Sequence, residues 1–311
     1  MHGDRDNSTR SGTIGPAMVL GAAGMLGHKV FQHLSASYET LAGVRNRWEA
    51  LPEPVRQILP RARTLAIGDA GDWDTLSTAI RDLRPALVIN CIGIIKQRDE
   101  AKSAVPSLTI NSLLPHRLAE ELAGWGGRLI HFSTDCVFSG SRGRYREDDD
   151  SDARDLYGKS KFLGEVASPN AITLRTSIIG RELTGHRSLL DWFLSQQAQS
   201  VRGFRRAIYS GITTNEMANV VGMLIADFPT LSGLFQVVSE PISKFDLLLL
   251  LREAYGLEVA IEPDDREVCD RSMVGDRFRR ATGWQAPPWP ELVRRLATDP
   301  TPYRQLESIV R

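Results

Sequence analysis

Tyr157-x-x-x-Lys161 sets a phenol and an ammonium one helical turn apart on the same helix face. A phenol of pKa about 10 is a poor acid or base near neutrality, but a fixed positive charge beside it favours the phenolate and brings it toward the working range. The spacing alone also fits a solvated helix face. Its context is more telling, because the hydroxyl pair Ser133-Thr134 ends an apolar run, Arg128 to Thr134, about two dozen residues earlier. Open α/β sheets hold their ligands at such strand ends. His131 alternates with apolar neighbours in that run and reads as a packed, hydrogen-bonded core histidine.

A second chemical element lies near the start. Met18-Val19-Leu20 runs into Gly21, Gly24 and Gly27, spaced three apart, and then into helical periodicity that should end near Leu34. In a strand–turn–helix, the first glycine permits the tight turn, the second lets backbone approach a pyrophosphate, and the third lets the helix pack closely on the sheet. The helix N-terminus aims N–H groups at the anion. The spacing is G-x-x-G-x-x-G rather than G-x-G-x-x-G, so the triplet also fits a plain turn. The next strand, Glu39 to Val44, ends in Arg45-Asn46-Arg47, where an acid would accept from the ribose of NAD. Arginines suit the extra phosphate of NADP. Asp69, after a short strand from Thr64 to Ile67, could line an adenine pocket.

The elements that must hold these groups alternate. Leu76, Ala79, Ile80 and Leu83 mark a helix, and Ala86 to Gly93 a strand covered on both faces. Leu108 to Trp125 is a helix that Pro115 should kink, Tyr157 to Val166 another, and Ala171 to Ile179 a further strand. This rhythm predicts a Rossmann-like, doubly wound parallel sheet over residues 17–180, preceded by a disordered tail at 1–16. A smaller, mixed substrate domain follows at 181–311, returning to the first near 213–228. Within it Ser188 to Gln199 is amphipathic. Thr213-x-x-Glu216 and Ser243-x-x-Asp246 are helix-opening capping boxes, Leu234 to Ser239 is a strand, and a short helix spans Leu292 to Leu296.

Composition narrows the function. Over 311 residues, 38 Lys and Arg balance 38 Asp and Glu, so no overall basic field argues for nucleic acid or an anionic membrane. No apolar run approaches the length of a membrane span, and Met1 to Gly15 has no signal-peptide core. Cys91, Cys136 and Cys269 are too few and too scattered for a disulfide framework or a zinc site, which points to a reducing cytoplasm. No metal ligands are expected.

The motifs together resemble the extended short-chain dehydrogenase/reductases, within them the dTDP-4-dehydrorhamnose reductase-like group. The matching pieces are the glycine triplet, Asn90-Cys91-Ile92-Gly93, Ser133 to Gly140, Tyr145-x-Glu147-Asp148, Tyr157 to Lys161, Leu174-Arg175-Thr176-Ser177 and Phe278-Arg279-x-x-Thr282-Gly283-Trp284. They run in family order from Met18 to Trp284. The resemblance implies that Thr134 bonds the substrate carbonyl, that Tyr157 donates the proton, and that Lys161 holds the nicotinamide ribose and lowers the tyrosine pKa. NADP, with NAD as a possibility, would lie against the turn (Gly21, Gly24, Met25, Leu26, Gly27), Arg45, Arg47, Asp69, Cys91, Gly93 and Asn111. Asn111 matches a helix asparagine that can support a proton-relay water. Asp135, Cys136 and the arginines Arg202, Arg205 and Arg206 would meet a nucleotide-sugar substrate, the arginines at its diphosphate. Cys136 and Ile178 stand where the family favours aromatic residues, so the sugar pocket is reshaped. The implied activity is NADPH-dependent reduction of a nucleotide-linked 4-ketodeoxysugar for glycan precursor synthesis, with a homodimer as a possible assembly. Two alternatives share the motifs: a nucleotide-sugar 4-epimerase or dehydratase with tightly held NAD, and a non-catalytic NADP-binding regulatory subunit.

Overall fold

The computed structural model describes residues 16–95, 102–185, 187–303 and 306. All but the last residue of the expected tail at 1–16 lies outside them. The first half alternates strictly: β1 (Ala17–Leu20), α1 (Gly27–Ser35), β2 (Thr40–Val44), α2 (Glu53–Ile58), β3 (Thr64–Ala66), α3 (Trp73–Leu83) and β4 (Leu87–Asn90). Next come α4 (Ala104–Leu108), a π-helical turn Thr109–Leu113, α5 (Leu114–Ala123), β5 (Arg128–Thr134), α6 (Leu156–Leu163) and β6 (Ala171–Thr176). The remainder is β7 (Ile178–Ile179), α7 (Leu189–Leu194), β8 (Ser200–Phe204), β9 (Ala207–Tyr209), β10 (Ile212–Thr213), α8 (Thr214–Ala226) and β11 (Gly233–Gln236). It closes with β12 (Ile242–Ser243), α9 (Lys244–Tyr255), β13 (Ala260–Asp264), β14 (Cys269–Asp270), α10 (Asp276–Thr282) and α11 (Trp289–Ala297).

Seven parallel strands form the central sheet in the order 11-6-5-4-1-2-3. The period of two explains why its strands read as unbroken apolar runs. In β1, Ala17 and Val19 face a core shared with α1 and α8, whereas Met18 and Leu20 face one shared with α3 and α5. The order reverses between β1 and β4, which opens a crevice at the carboxyl ends of both.

The boundary expected at residue 180 is crossed repeatedly. Helix α8, capped as expected by Thr213 accepting from the Glu216 N–H, places Met217, Val220, Val221 and Leu224 in the first domain's core. Strand β11 then adds to the edge of the sheet beside β6, and Phe278, Tyr303 and Leu306 join the same core. A separate core of Leu190, Phe193, Val201, Leu247, Leu251, Trp289 and Leu292 supports the substrate side. The helix expected from Leu108 to Trp125 runs on from Ala104 to Ala123 but is disturbed ahead of Pro115, and for a clear reason. Pro115 has no N–H to give and would clash with the preceding turn. The chain widens into the π turn and restarts as α5 with the proline in its first turn, where a missing N–H costs nothing.

The returning C-terminus is keyed to α1. His28 is fully buried, its Nδ1–H donating to the Gly24 carbonyl at 2.9 Å and its Nε2 accepting from the Tyr303 hydroxyl at 2.7 Å. Burial holds its pKa down at about 4. His131 is buried too, with Nδ1 accepting from the Asn90 amide at 3.2 Å, and burial pushes its pKa well down. An unfolded histidine takes up its proton near pH 6.5 while these resist, so stability is full above that pH and falls as the pH drops toward 4. His28 alone accounts for about 3 kcal/mol of the loss. Urea unfolding at pH 7 and pH 4.5 should show a marked drop in the midpoint, smaller in His28→Gln. An equal drop in the variant would show that His28 is not held neutral.

Candidate active site

The glycine turn is a geometric necessity. Gly21 sits at φ +74°, and a Cβ on Gly27 would lie 2.1 Å from the Gly21 carbonyl oxygen, so α1 can start here only if that side chain is absent. Gly21 and Ala22 donate to the Gly43 carbonyl of β2 at 3.0 and 3.2 Å, and Gly24 donates back to Gly21 at 2.9 Å. Gly21, Gly24, Met25 and Leu26 line a cleft of ≈ 1290 Å³ that runs along the carboxyl ends of the sheet. Gly27 lies beneath the turn. The bare backbone there fits a pyrophosphate, and the start of α1 supplies unpaired N–H groups.

At the adenosine end, Arg45, Asn46 and Asp69 line the cleft. Arg45 is ion-paired to Asp69, whose other oxygen accepts from the Gly71 N–H at 2.8 Å. Arg47 does not reach the cleft: it is exposed at the entry to the turn Trp48–Ala50. Cys91 and Gly93 line the wall after β4. Asn111 lies behind that wall. Its Oδ1 accepts from the Ile94 N–H at 2.9 Å, and its Nδ2 donates to the Ile94 carbonyl at 3.0 Å and to Ser160 Oγ at 3.1 Å. The amide pins the loop after β4 to α6, and Asn111 is not among the residues that line the cleft.

The end of β5 is gripped by α6. Lys161 Nζ donates to the Phe132 carbonyl at 2.6 Å, Glu165 accepts from the Ser133 hydroxyl at 2.6 Å, and Tyr157 and Thr134 line the same cleft. Tyr157 and Lys161 are one turn apart on α6, and Glu165 follows just past its C-cap, Gly164. The start of α6 is fixed by Asp155, which accepts from the Gly158 N–H at 2.9 Å. A Cβ on Gly158 would lie 2.2 Å from the Cys136 carbonyl, which brings the helix flush against the segment following Thr134. Thr134 Oγ1 donates to Asp135 at 3.1 Å and accepts from the Cys136 N–H at 3.1 Å.

Burial sets the charge states. It pushes the Tyr157 phenol up, Thr134 pulling the other way, and it brings Lys161 down to about 8, with Glu165 opposing. The lowering expected from Lys161 is not among the causes acting on Tyr157, which burial leaves a neutral phenol, the form that donates a proton. Asp135 is buried beside it and raised by burial, with Arg271 the main opposing charge.

Toward the substrate side the cleft is lined by Asp135, Cys136, Ile178, Phe204, Tyr209, Lys244, Cys269 and Arg271. The three arginines expected here are turned away. Strand β8 buries Val201 and Gly203 and so points Arg202 outward, 4.0 Å from Asp264, while Arg205 is ion-paired to Asp265 and Arg206 is exposed. Acids on and after β13, the parallel partner of β8, take up this charge. In their place stand Lys244, the first residue of α9, and Arg271, which donates from Nε to the Phe138 carbonyl at 2.9 Å. Lys244 directly follows the capping serine and Arg271 precedes the late Phe278 motif, so both adjoined recognisable signals. Among the described residues no group of His, Cys, Asp and Glu could hold a metal ion, and no helix is long and apolar enough to cross a membrane.

The family model described as RmlD substrate binding domain matches residues 16–221, well over half of the chain. The chain belongs to the RmlD substrate-binding domain family. Among curated proteins it is similar to methionine adenosyltransferase 2 subunit beta of Xenopus tropicalis, 30% identical over 169 residues, covering 52% of this chain and 46% of that one. It is also similar to the spore coat polysaccharide biosynthesis protein SpsK of Bacillus subtilis, 26% identical over 253 residues, covering 78% and 81%. The match spans about half the length of the first of these relatives. The solved dTDP-4-dehydrorhamnose reductase of Bacillus anthracis, a complex with NADP, superposes with a TM-score of 0.75 at 18% identity, covering 91% of this chain and 98% of that one. That likeness establishes the RmlD-type fold, with its seven-stranded parallel sheet.

Proposed function

We propose that this chain is an NADPH-dependent reductase of the 4-keto group of a nucleotide-linked deoxysugar, working in glycan or polysaccharide precursor synthesis. The observation that carries the reading is the grip of α6 on β5, which sets Tyr157, Thr134 and Lys161 together at the floor of the cleft that begins at the glycine turn. The B. anthracis neighbour is a reductase in complex with NADP, and the B. subtilis relative serves polysaccharide biosynthesis. We place the protein in a reducing cytoplasm, in keeping with three free thiols.

The residues fit a dinucleotide: the turn at Gly21 and Gly27 is cleared of side chains for a pyrophosphate, and Arg45 stands where a 2′-phosphate would be met, with NAD as the lesser alternative. Bound NADPH would supply the hydride to C4. Thr134 orients the substrate carbonyl, and the neutral phenol of Tyr157 gives its proton to the oxygen as negative charge develops there. Lys161, while charged, stabilises the phenolate that remains and would hold the ribose hydroxyl of a bound cofactor. Lys244 and Arg271 meet the diphosphate that Arg202, Arg205 and Arg206 do not reach.

A second reading has an observation of its own. The methionine adenosyltransferase relatives are each named as a subunit beta, which favours a cofactor-binding subunit role. Tyr157→Phe separates the two. It keeps the ring and removes the hydroxyl, so NADPH affinity should hold while kcat falls by a factor of about 10² to 10⁴. Full activity in the variant would mean that Tyr157 is not the donor. A wild type that binds NADPH yet turns over no nucleotide 4-ketosugar favours the regulatory reading, and one that keeps NAD through purification and needs no reductant favours an epimerase or dehydratase.

The diphosphate assignment is tested by kinetics. Lys244→Met with Arg271→Met should raise KM for the nucleotide sugar by at least about 10- to 100-fold, the worth of a single charge-assisted bond, with NADPH affinity unchanged. Neutralising Arg202, Arg205 and Arg206 together should leave KM where it was. The reverse pattern would return the diphosphate to β8.

A further inference from the structure

The adenosine end of the cleft carries two opposite charges, and they face each other. Strands β2 and β3 run parallel and side by side, Val44 opposite Ala66, so Arg45 and the turn from Gly68 to Gly71 emerge together from their ends. Arg45 is ion-paired through Nη2 to Oδ2 of Asp69, and both residues line the cleft. Between Gly43 and Gly71 no other charged residue lines it. The acid is the fixed partner. Its Oδ1 accepts from the Gly71 N–H at 2.8 Å, and its carbonyl accepts at 2.9 Å from the N–H of Asp72, the residue that caps α3. Arg45 is the movable one, with 70% of its side chain exposed.

We propose that Asp69 is a specificity-determining residue for the cofactor: it competes with the adenosine 2′-phosphate for Arg45, and so holds down the preference for NADPH over NADH. This rests on the reading that Arg45 meets that phosphate. NADH carries a hydroxyl at the same position and binds with the ion pair intact. NADPH must draw the guanidinium off Asp69, and its phosphate, with about two negative charges, then lies near a carboxylate that Gly71 keeps in place. An exposed ion pair is worth little, so the phosphate wins Arg45, but part of the attraction is cancelled. A carboxylate that merely seated Arg45 for the phosphate would act with the opposite sign, because its removal would weaken NADPH.

The test measures Kd for NADPH and for NADH by titration calorimetry in the full-length chain, wild type against Asp69→Asn, which drops the charge and keeps an oxygen for the Gly71 N–H. Contacts that both cofactors make, to adenine, pyrophosphate and nicotinamide, cancel in the ratio of the Kd for NADH to that for NADPH. The ratio should rise about 3- to 10-fold in Asp69→Asn, through tighter NADPH with NADH nearly unmoved. In an Arg45→Met background there is no arginine to contest, so Asp69→Asn should move the ratio less. A ratio that stays or falls in Asp69→Asn would overturn the proposal, as would an equal shift in the Arg45→Met background. Arg45→Met alone checks the reading beneath it, and should lower the ratio. If it does not, Arg45 never meets the phosphate and both fail together; if it does while Asp69→Asn leaves the ratio alone, only the competition fails. The titrations need no turnover, so they decide this point even if the wild type reduces no ketosugar.

Discussion

Everything the cleft does depends on one contact line, the clasp between the end of β5 and one face of α6. The Phe132 carbonyl accepts from Lys161 on the helix, the Ser133 hydroxyl donates to Glu165 just past its end, and Thr134 lines the cleft with Tyr157. A strand advances about 3.3 Å per residue and a helix about 5.4 Å per turn, so such a line can form only where the two elements cross at close quarters. Gly158 allows that approach, and Asn111 on the π turn braces the helix through Ser160. Shifting α6 along the strand would break all the contacts of the clasp at once, which is how a common helical spacing becomes a fixed constellation.

The second constraint is that the two sides of the cleft are parts of one interlocked body. Helix α8 packs on α1, β11 extends the sheet beside β6, and the C-terminal segment locks onto α1 through Tyr303 and His28 and through the buried Lys29–Asp299 pair at 2.7 Å. Lys244 and Arg271 lie on the chain between β11, which joins the seven-stranded sheet, and α10, whose Phe278 joins its core. The substrate side is thus placed against the cofactor side by shared core packing, and a hinge at residue 180 is not needed to bring them together.

How much of this was legible in the sequence follows from which interactions are local. The apolar runs of β1 and β4, the capping boxes at Thr213 and Ser243 and the glycine turn are set by neighbours within a few residues, and each lies close to where the sequence put it. Pro115 announced a disturbance, though not that a π turn would absorb it. The arginines of β8 misled because a strand's outward face is decided by its partner, and the acids that claim them lie some sixty residues later. Arg47 and Asn111 adjoin cleft-lining residues without lining the cleft themselves, since a residue's place in a turn or helix does not say which way its side chain faces. Glu165 carried no signal of its own: its place in the clasp exists only once β6 has delivered Arg175.

The central claim is that this cleft carries a hydride to a sugar carbon while Tyr157 supplies the proton. The most direct test is to incubate the protein with NADPH carrying deuterium at the transferable C4 position and a panel of nucleotide-linked 4-keto-6-deoxysugars, and to analyse the sugar by mass spectrometry and NMR. The account predicts one deuterium at C4 of the product, from a single face, with loss of label transfer in Tyr157→Phe. NADPH bound in the cleft with no deuterium on any sugar would contradict it.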